Sequence, residues 1–222
     1  MIYSSPFMTF IVAIQLNDSI IVASDNKQVS ILEDGTLKFR KEPISKMFPW
    51  ENGIVTGTGE YHVISRAVKL FNNFKKLPHE YFADCLDISR KLREFEIGKD
   101  YYQISNTKLM YSTYTDNGAQ LYRVESFDPQ DKYQVRVAEK MDVTIWLYNP
   151  MIESITMNLK ELYDDLRDRS YFNNNQEWIN YYIERLSPIF KKQSLQDIYM
   201  SQSFDVFFQT KDQYVYGQFP NI

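Results

Sequence analysis

Thr9 opens the stretch of this sequence that could carry chemistry. Residues 9–25, TFIVAIQLNDSIIVASD, alternate apolar and polar side chains, break at Asn17-Asp18-Ser19, alternate again and stop at Asp25. Such alternation predicts two short strands around a turn. Residues 1–8 precede the threonine. Thr9 is therefore either a nucleophile that must first be exposed or the first residue of a strand, a place that threonine favours.

Other catalytic chemistries have few residues to draw on. The chain contains two histidines, His62 and His79, and one cysteine, Cys85. This count argues against a His-ligated or Cys-based metal site, a serine–histidine triad and a disulfide framework. We therefore expect no metal and no cofactor.

Composition indicates a soluble globular protein. Its 222 residues include 25 Lys and Arg against 29 Asp and Glu, for a net charge of −4. This balance argues against nucleic acid as a partner and suits a basic protein surface. We find no apolar run of 18 residues and no signal peptide, which predicts a cytoplasmic chain that does not bind membranes. We find no linker or repeat, so a single domain is expected over 1–222, with 1–8 as a short N-terminal extension.

Two kinds of periodicity divide the chain. Alternation and turn residues predict strands and hairpins in the first quarter. Helical spacing predicts helices from Val63 to about Lys76 and from His79 to Phe95, the second with Phe82, Leu86 and Leu92 on one face. Strands are predicted at 10–16, 20–24, within 28–39 and 45–59, and at 108–115, 119–125, 133–139, 142–148, 203–210 and 213–219. Further helices are predicted from 150 to 166 and from 178 to 186.

The order of these elements has a simple packing solution. Strands, two helices, strands, two helices and strands follow one another, and the helices are amphipathic. Two sheets packed face to face, each covered by a pair of helices, would bury every apolar face. We therefore predict an α+β protein with a four-layer αββα sandwich. Phe71 should lie at a helix–sheet contact and Trp146 should be buried on a two-sided strand.

Four segments in order resemble proteasome β-type subunits and the related bacterial protease, whose fold is the N-terminal nucleophile (Ntn) hydrolase fold. They are the opening strands with Asp25 sixteen residues after Thr9, SKMFPWENGIVTGTGEYHVISRAVKLF, GAQLYRVESFDP and SFDVFFQTKDQYVY. In that family an N-terminal threonine attacks a peptide carbonyl and its own α-amine accepts the proton. A lysine keeps the charges poised, an aspartate orients the lysine, and a glycine N–H receives the oxyanion.

The resemblance assigns these roles residue by residue. The nucleophile falls on Thr9, the orienting acid on Asp25 and the oxyanion donor on Gly59. The lysine position falls on Ser45, with Lys46 one residue later and thus expected on the opposite face of the strand. Lys38 or Lys41 would serve only through a shifted hairpin. The structural alternatives stay open, since Asp25 suits a strand-end turn and Gly59 a tight passage from strand to helix.

Exposure of Thr9 requires the loss of residues 1–8. The family usually places glycine before the threonine, where self-cleavage is easy, whereas this chain has Met8. Translation from Met8 followed by removal of that methionine is a second route. A chain that keeps residues 1–8 has an amide at Thr9 and lacks the general base.

Two functions follow from these observations. The missing lysine and the amide at Thr9 favour a catalytically silent proteasome-like domain that binds another protein, for example an immunity or neutralising protein for a toxin. Its partner would contact exposed aromatic residues, Tyr148, Tyr171 and Phe172, because aromatic side chains anchor interfaces. The alternative is an N-terminal threonine peptidase activated by removal of residues 1–8. A homo-oligomer is compatible with either function.

Overall fold

The computed structural model describes residues 6–7, 9–31, 36–39, 42–74, 77–99, 101–126, 132–147 and 151–221. No helix among these residues combines the length and the apolar character needed to cross a bilayer. The turn predicted at Asp34-Gly35 and the turn predicted at Asp128-Pro129 lie outside the described residues.

The first sheet has five antiparallel strands. Its central hairpin is formed by β2 (Ile11–Gln15) and β3 (Ile20–Asp25), and all eleven residues of these two strands are buried. β12 (Phe204–Gln209) pairs with β3, and β13 (Tyr214–Phe219) pairs with β12. β11 (Asp142–Trp146) pairs with the other side of β2. The sheet order is therefore β11-β2-β3-β12-β13.

The second sheet is also antiparallel and is built around a long strand, β7 (Gly53–Glu60). On one side β7 pairs with β8 (Lys108–Thr115), which continues to β9 (Gly118–Glu125) and β10 (Gln134–Val137). On its other side β7 pairs with β6 (Met47–Trp50) and β1 (Pro6–Phe7). β4 (Val29–Ile31) and β5 (Leu37–Phe39) form a separate two-stranded hairpin.

The helices fall into two pairs. α1 (Tyr61–Asn73) and α2 (Phe82–Ile97) follow β7, and a short α3 (Tyr102–Ser105) leads into β8. α4 (Thr156–Asp164) and α5 (Asn175–Gln196) precede β12. Single 3₁₀ turns lie at His79–Tyr81 and Arg169–Tyr171.

Three apolar clusters show how these elements stack. One joins residues of both sheets, such as Ile11, Val22 and Phe207 from the first and Ile54 and Met110 from the second. The others join the first sheet to α4 and α5, and the second sheet to α1 and α2. The order of layers is helices, sheet, sheet, helices, which confirms the predicted four-layer sandwich.

The burial of individual residues agrees only in part with the burial predicted from the sequence. Phe71 is buried and stacks on Phe82 of α2 with ring centroids 3.7 Å apart. Its ring centroid also lies 5.6 Å from that of Trp50 in β6, which is the helix–sheet contact that the sequence predicts. Trp146 is buried between the sheets, although β11 is an edge strand and its other residues are half-buried. Phe74 and Leu92 were expected on apolar faces and are exposed. α1 ends before Phe74, and the buried face of α2 carries arginines instead of Leu92.

Candidate functional site

Thr9 lies at the open end of the β2–β3 hairpin, opposite the turn. It is buried and directly precedes Phe10, which faces Asp25 across the two strands. The Asp25 backbone N–H donates to the Phe10 carbonyl at 3.1 Å, and the Phe10 N–H donates to Asp25 Oδ1 at 2.9 Å. This pairing places the Asp25 carboxylate beside the peptide unit that joins Thr9 to Phe10.

Lys46 is the basic group that meets this carboxylate. Its Nζ donates to both Asp25 oxygens at 2.9 Å, and both side chains are buried. A third donor, the Lys27 backbone N–H, reaches Asp25 Oδ2 at 3.1 Å. The threonine is thus flanked by a closely paired, solvent-excluded lysine and aspartate.

The lysine that pairs with Asp25 lies one residue after Ser45, the position that the resemblance assigns to it. Ser45 is exposed and its hydroxyl is 2.7 Å from that of Tyr216, so it faces away from Asp25. Both residues precede β6, which begins at Met47, so the alternation expected of a strand does not apply to them. The resemblance assigns the lysine position to Ser45 by counting along SKMFPW, and the structure places the next residue, Lys46, against Asp25. Lys38 is exposed, and Lys41 lies outside the described residues.

Burial shapes the electrostatics of the pair. Exclusion of water lowers the pKa of Lys46, and the charge and hydrogen bonds of Asp25 oppose that shift. Burial raises the pKa of Asp25, against the attraction of Lys46 and the hydrogen bond from Phe10. A lysine whose pKa is lowered by burial releases its proton more easily than one in water. The pair is therefore suited to proton transfer.

Two further carboxylates influence Lys46, and sequence reasoning did not find either. The negative charges of Asp197 and Asp205 raise the pKa of Lys46, against the effect of burial. Asp205 is buried and accepts from the Tyr216 hydroxyl at 3.0 Å and from Asn26 Nδ2 at 3.3 Å. The signal available in the sequence was a charged residue inside the apolar strand SFDVFF.

Gly59 lies where β7 passes into α1 and has a φ of +118°. A side chain there would be strained and would also collide with Thr107, whose Oγ1 lies 2.6 Å from the position of an added Cβ. Glycine is thus required by both conformation and space. Gly59 therefore permits the tight passage from β7 to α1, and its backbone lies close to a cleft.

A cleft of about 270 Å³ opens beside Gly59. Thr58, Lys108 and Leu147 line it, together with residues of α3. Leu147 follows Trp146, and Trp146 pairs with Ile11, so the cleft lies at the same end of the sandwich as Thr9. Lys108 Nζ is 4.6 Å from the centre of the Trp146 ring. The cleft has room for a few side chains of a bound peptide.

The chain's own N-terminal residues run along β7 at this point. Pro6 is paired with Glu60 and Phe7 with Gly59, in antiparallel register. β1 therefore continues the edge that β6 occupies further along β7. The extension predicted from the sequence contributes a strand next to the candidate oxyanion glycine.

The three aromatic residues predicted to bind a partner have different environments. Tyr171 is 75% exposed. Phe172 is partly buried against the core of the first sheet, with its ring 5.0 Å from that of Tyr181. Tyr148 lies outside the described residues. Of the three, Tyr171 has the exposure that an interface anchor needs.

Comparisons with known proteins identify the fold. No protein-family model matches the chain, and no curated protein matches its sequence. The solved structures that match include two that each have a TM-score of 0.62 and 12% sequence identity. The chain has the Anbu fold. The first structure is an Anbu (Gly-1) mutant from Hyphomicrobium sp. strain MC1, matched over 94% of this chain and 87% of that one. The second is Anbu, described as an ancestral β-subunit, from Yersinia bercovieri, with 93% and 86% covered.

At this level of identity the likeness concerns the fold alone. It agrees with the αββα architecture and with the expected resemblance to proteasome β-type subunits. The chemistry of this chain has to be argued from its own residues, because one fold hosts many functions.

Proposed function

We propose that this chain is a latent N-terminal threonine hydrolase of peptide bonds, with Thr9 as its nucleophile. The observation that carries the proposal is the Asp25–Lys46 pair, whose atoms lie 2.9 Å apart in a buried site beside Thr9. Sequence reasoning favoured a silent domain because no lysine fell on the expected position and because Thr9 carries an amide while residues 1–8 are attached. In this proposal Lys46 takes the role of that lysine, and the amide makes the full chain latent.

Packing alone gives little reason for such a pair. Removing two charges from water is costly, and replacing a buried ion pair by apolar side chains is often neutral or stabilising. Buried pairs with perturbed pKa values beside a cleft are typical of functional sites. The pair is therefore better explained by its effect on Thr9 than by its effect on stability.

The proposed reaction begins with loss of residues 1–8. The freed α-amine of Thr9, which in model peptides has a pKa of about 7.7–8.0, accepts the hydroxyl proton. Thr9 Oγ bonds to the substrate carbonyl carbon, and the oxyanion accepts from the Gly59 N–H. The C–N bond then breaks and the amine leaves with the proton. Water hydrolyses the resulting ester and regenerates the hydroxyl.

In this proposal Lys46 and Asp25 set the charge around Thr9. The Lys46 cation disfavours a protonated α-amine nearby, and its lowered pKa lets the pair share a proton with the site. Asp25 holds Lys46 through both carboxylate oxygens. While Met8 is attached, the nitrogen of Thr9 is an amide and accepts no proton, so the full chain is latent.

The test compares two forms of the protein. Release from an N-terminal fusion would leave Thr9 as the first residue. Among the described residues, 1–8 contribute the two-residue strand β1, and no residue of the three apolar clusters precedes Phe10. We expect the Thr9-headed chain to hydrolyse fluorogenic peptides and the full chain not to.

Matched variants sharpen this test. Thr9→Ala and Lys46→Met should abolish turnover, whereas Ser45→Ala should retain it. A folded Thr9-headed chain that hydrolyses no peptide in a broad library would contradict the proposal. The intact mass of the protein purified from its native cell would show whether the chain begins at Met1 or at Thr9.

A silent domain that binds a protein, such as an immunity protein, is the second proposal. It is favoured by the pairing of residues 6–7 with β7 in the full chain and by the exposure of Tyr171. Pull-down from the native cell would then recover one partner in constant ratio, and Tyr171→Ala would weaken the complex. Recovery of the chain alone as a closed ring would favour a self-assembling peptidase instead.

A further inference from the structure

Glu60, the residue after the candidate oxyanion glycine, is a buried carboxylate that the proposed reaction does not use. It is fully buried at the junction of β7 and α1. Its Oε2 caps α1 by accepting from the Val63 N–H at 2.9 Å. A serine, threonine or aspartate would provide such a cap without burying a long acidic side chain. Capping therefore explains one of its two oxygens.

The second oxygen is held from a different helix. Glu60 Oε1 accepts from Arg93 Nη2 at 3.1 Å and from Arg93 Nε at 3.3 Å, a two-pronged contact with α2. Arg93 is itself buried and also donates to Glu96 at 3.2 Å. Glu96 accepts from Arg66 of α1. Charges of alternating sign thus connect Glu60 to both helices that cover the second sheet.

The backbone of Glu60 is held as well. Its N–H donates to Thr107 Oγ1 at 3.0 Å, and the Thr107 hydroxyl donates to the Gln103 carbonyl at 2.7 Å. The peptide unit between Gly59 and Glu60 is therefore fixed on the Glu60 side. On the other side, Thr58 is fixed by its pairing with Lys108 in the sheet.

Gly59 lies between these two fixed points and has no side chain to limit its rotation. Its φ of +118° is easily adopted by glycine, but glycine also adopts many other values at little cost. An oxyanion donor is effective only when its N–H already points to where the charge develops. In the full chain the pairing of Phe7 with Gly59 also holds this backbone. Once residues 1–8 are lost, the orientation must be imposed by the neighbours of Gly59 in the chain.

We infer that Glu60 is a positioning residue which, through Arg93 and Thr107, orients the Gly59 N–H toward the oxyanion. The inference rests on the proposed function for its catalytic part. Glu60 touches no reacting atom, so its loss should reduce the rate of the chemical step and leave substrate binding nearly unchanged.

The first experiment measures Gly59 directly in the Thr9-headed chain, in which β1 no longer pairs with Gly59. The sequence contains seven glycines, so ¹⁵N-glycine labelling gives a simple amide spectrum. Glu60→Gln keeps the side-chain volume and an acceptor for Val63 but removes the charge that Arg93 requires. We expect the order parameter of the Gly59 amide to fall from about 0.85 toward about 0.6, the range that separates rigid from flexible backbone. Gly118, the first residue of β9, should not change.

The second experiment measures rate in the Thr9-headed chain. Removing an entire oxyanion donor reduces kcat by about 10²–10³-fold, so a donor that is only misaligned should reduce it by about tenfold. KM should stay within about twofold, and Ki for a peptide boronate, which places an oxygen at the oxyanion position, should rise in parallel with the loss of kcat. Arg93→Lys, which keeps the charge, should retain more activity than Glu60→Gln.

A control separates positioning from stability. Asn174 caps α5 by accepting from the Glu177 N–H, far from Gly59 in the fold. Asn174→Ala also weakens the N-terminal cap of a helix, so it should lower stability. It should leave kcat and the order parameter of the Gly59 amide unaltered. An unchanged Gly59 amide, or an unchanged kcat in Glu60→Gln of an active chain, would overturn the inference. An inactive wild-type Thr9-headed chain would instead overturn the proposed function.

Discussion

The two ends of the β2–β3 hairpin bury polar groups in opposite ways. At the turn end, the neutral amide of Gln15 is buried and links the two sheets. Its Oε1 accepts from the Leu121 N–H at 2.7 Å and from Gln120 Nε2 at 3.0 Å. Its Nε2 donates to the carbonyls of Leu16 and Ala119. At the open end, the corresponding place is taken by the charged side chains of Asp25 and Lys46.

The difference shows what this fold needs for stability and what it adds for chemistry. A neutral amide with both donors and both acceptors satisfied is sufficient to tie the sheets together. A buried ion pair carries a desolvation cost that Gln15 avoids. The open end accepts that cost beside Thr9, which is consistent with a site that moves protons.

Breaking the charged end should have the largest effect. Lys46→Met leaves the Asp25 carboxylate buried without its cation, and we expect a loss of about 3–5 kcal/mol in the free energy of unfolding. Adding Asp25→Asn should recover most of that loss, because Asn still accepts from Phe10 and neither charge of the pair remains buried. Urea denaturation measures both. If Lys46→Met alone were as stable as the wild type, the pair would not be buried as described.

Breaking the neutral end should have a smaller effect. Gln15→Leu removes the partner of the Leu121 N–H and of the Ala119 carbonyl, both within the sandwich. A buried carbonyl tolerates a missing partner better than a buried N–H does. The Leu121 N–H therefore dominates the expected loss, and one unsatisfied buried group of this kind costs about 1–3 kcal/mol. Activity of the Thr9-headed chain should remain, provided the assay runs well below the unfolding temperature. A strong loss of turnover would remove the distinction between the two ends.

Alkaline pH should distinguish the ends without any change in packing. Burial lowers the pKa of Lys46 below its value of 10.5, so in the window below pH 10.5 the unfolded chain binds more protons than the folded one. The lysine's contribution to stability therefore rises with pH in that window, by at most about 1.4 kcal/mol per pH unit. The difference in unfolding free energy between the wild type and the Asp25→Asn, Lys46→Met double variant should show this slope.

The difference between those two proteins is the relevant measurement because buried tyrosines titrate in the same range. Burial raises the pKa of Tyr182 and Tyr133, among others, and this destabilises the folded chain as pH rises above their ordinary values. That contribution is common to both proteins and cancels. Gln15→Leu, which removes no titrating group, should leave the slope as it is in the wild type.

Ser45→Ala should have the smallest effect. Ser45 is exposed, and its hydroxyl contacts that of Tyr216 instead of Asp25. Surface changes of this kind stay within about 0.5 kcal/mol. Unfolding and turnover should both match the wild type. If Ser45→Ala lowered stability or turnover as much as Lys46→Met does, Ser45 would have a role in the site, at the position that the family resemblance assigns to the lysine.

The fold was accessible from the sequence because its elements have clear periods. Alternation marked β2 and β3, and Val63 to Phe71 marked α1, so the order of layers followed. The ends of the helices were harder to predict. The helical pattern in the sequence ended at Leu186, whereas α5 continues to Gln196. The face of α2 could not be predicted, since burying Arg93 is favourable only when Glu60 is there to receive it.

The site was accessible only in part. Thr9, Asp25 and Gly59 are tied to strand ends, where counting along the chain works well. Lys46 was set aside because neighbouring residues of a strand face opposite sides, whereas Ser45 and Lys46 precede β6 and are not bound by that rule. Asp197 and Asp205 act on Lys46 from the far end of the sequence, and no local pattern connects positions so distant.

The order of strands in the first sheet has a consequence for synthesis of the protein. β3 pairs with β12, so Ala23 lies opposite Val206. At 5–20 residues per second, a ribosome needs roughly 10–40 s to produce the segment between them. During that time an apolar hairpin has emerged without the neighbour that completes its sheet. Until then the apolar side chains on one face of the hairpin can pack against the second sheet, whose strands are made earlier. The charges of Asp197 and Asp205 reach Lys46 only after those late residues have been made.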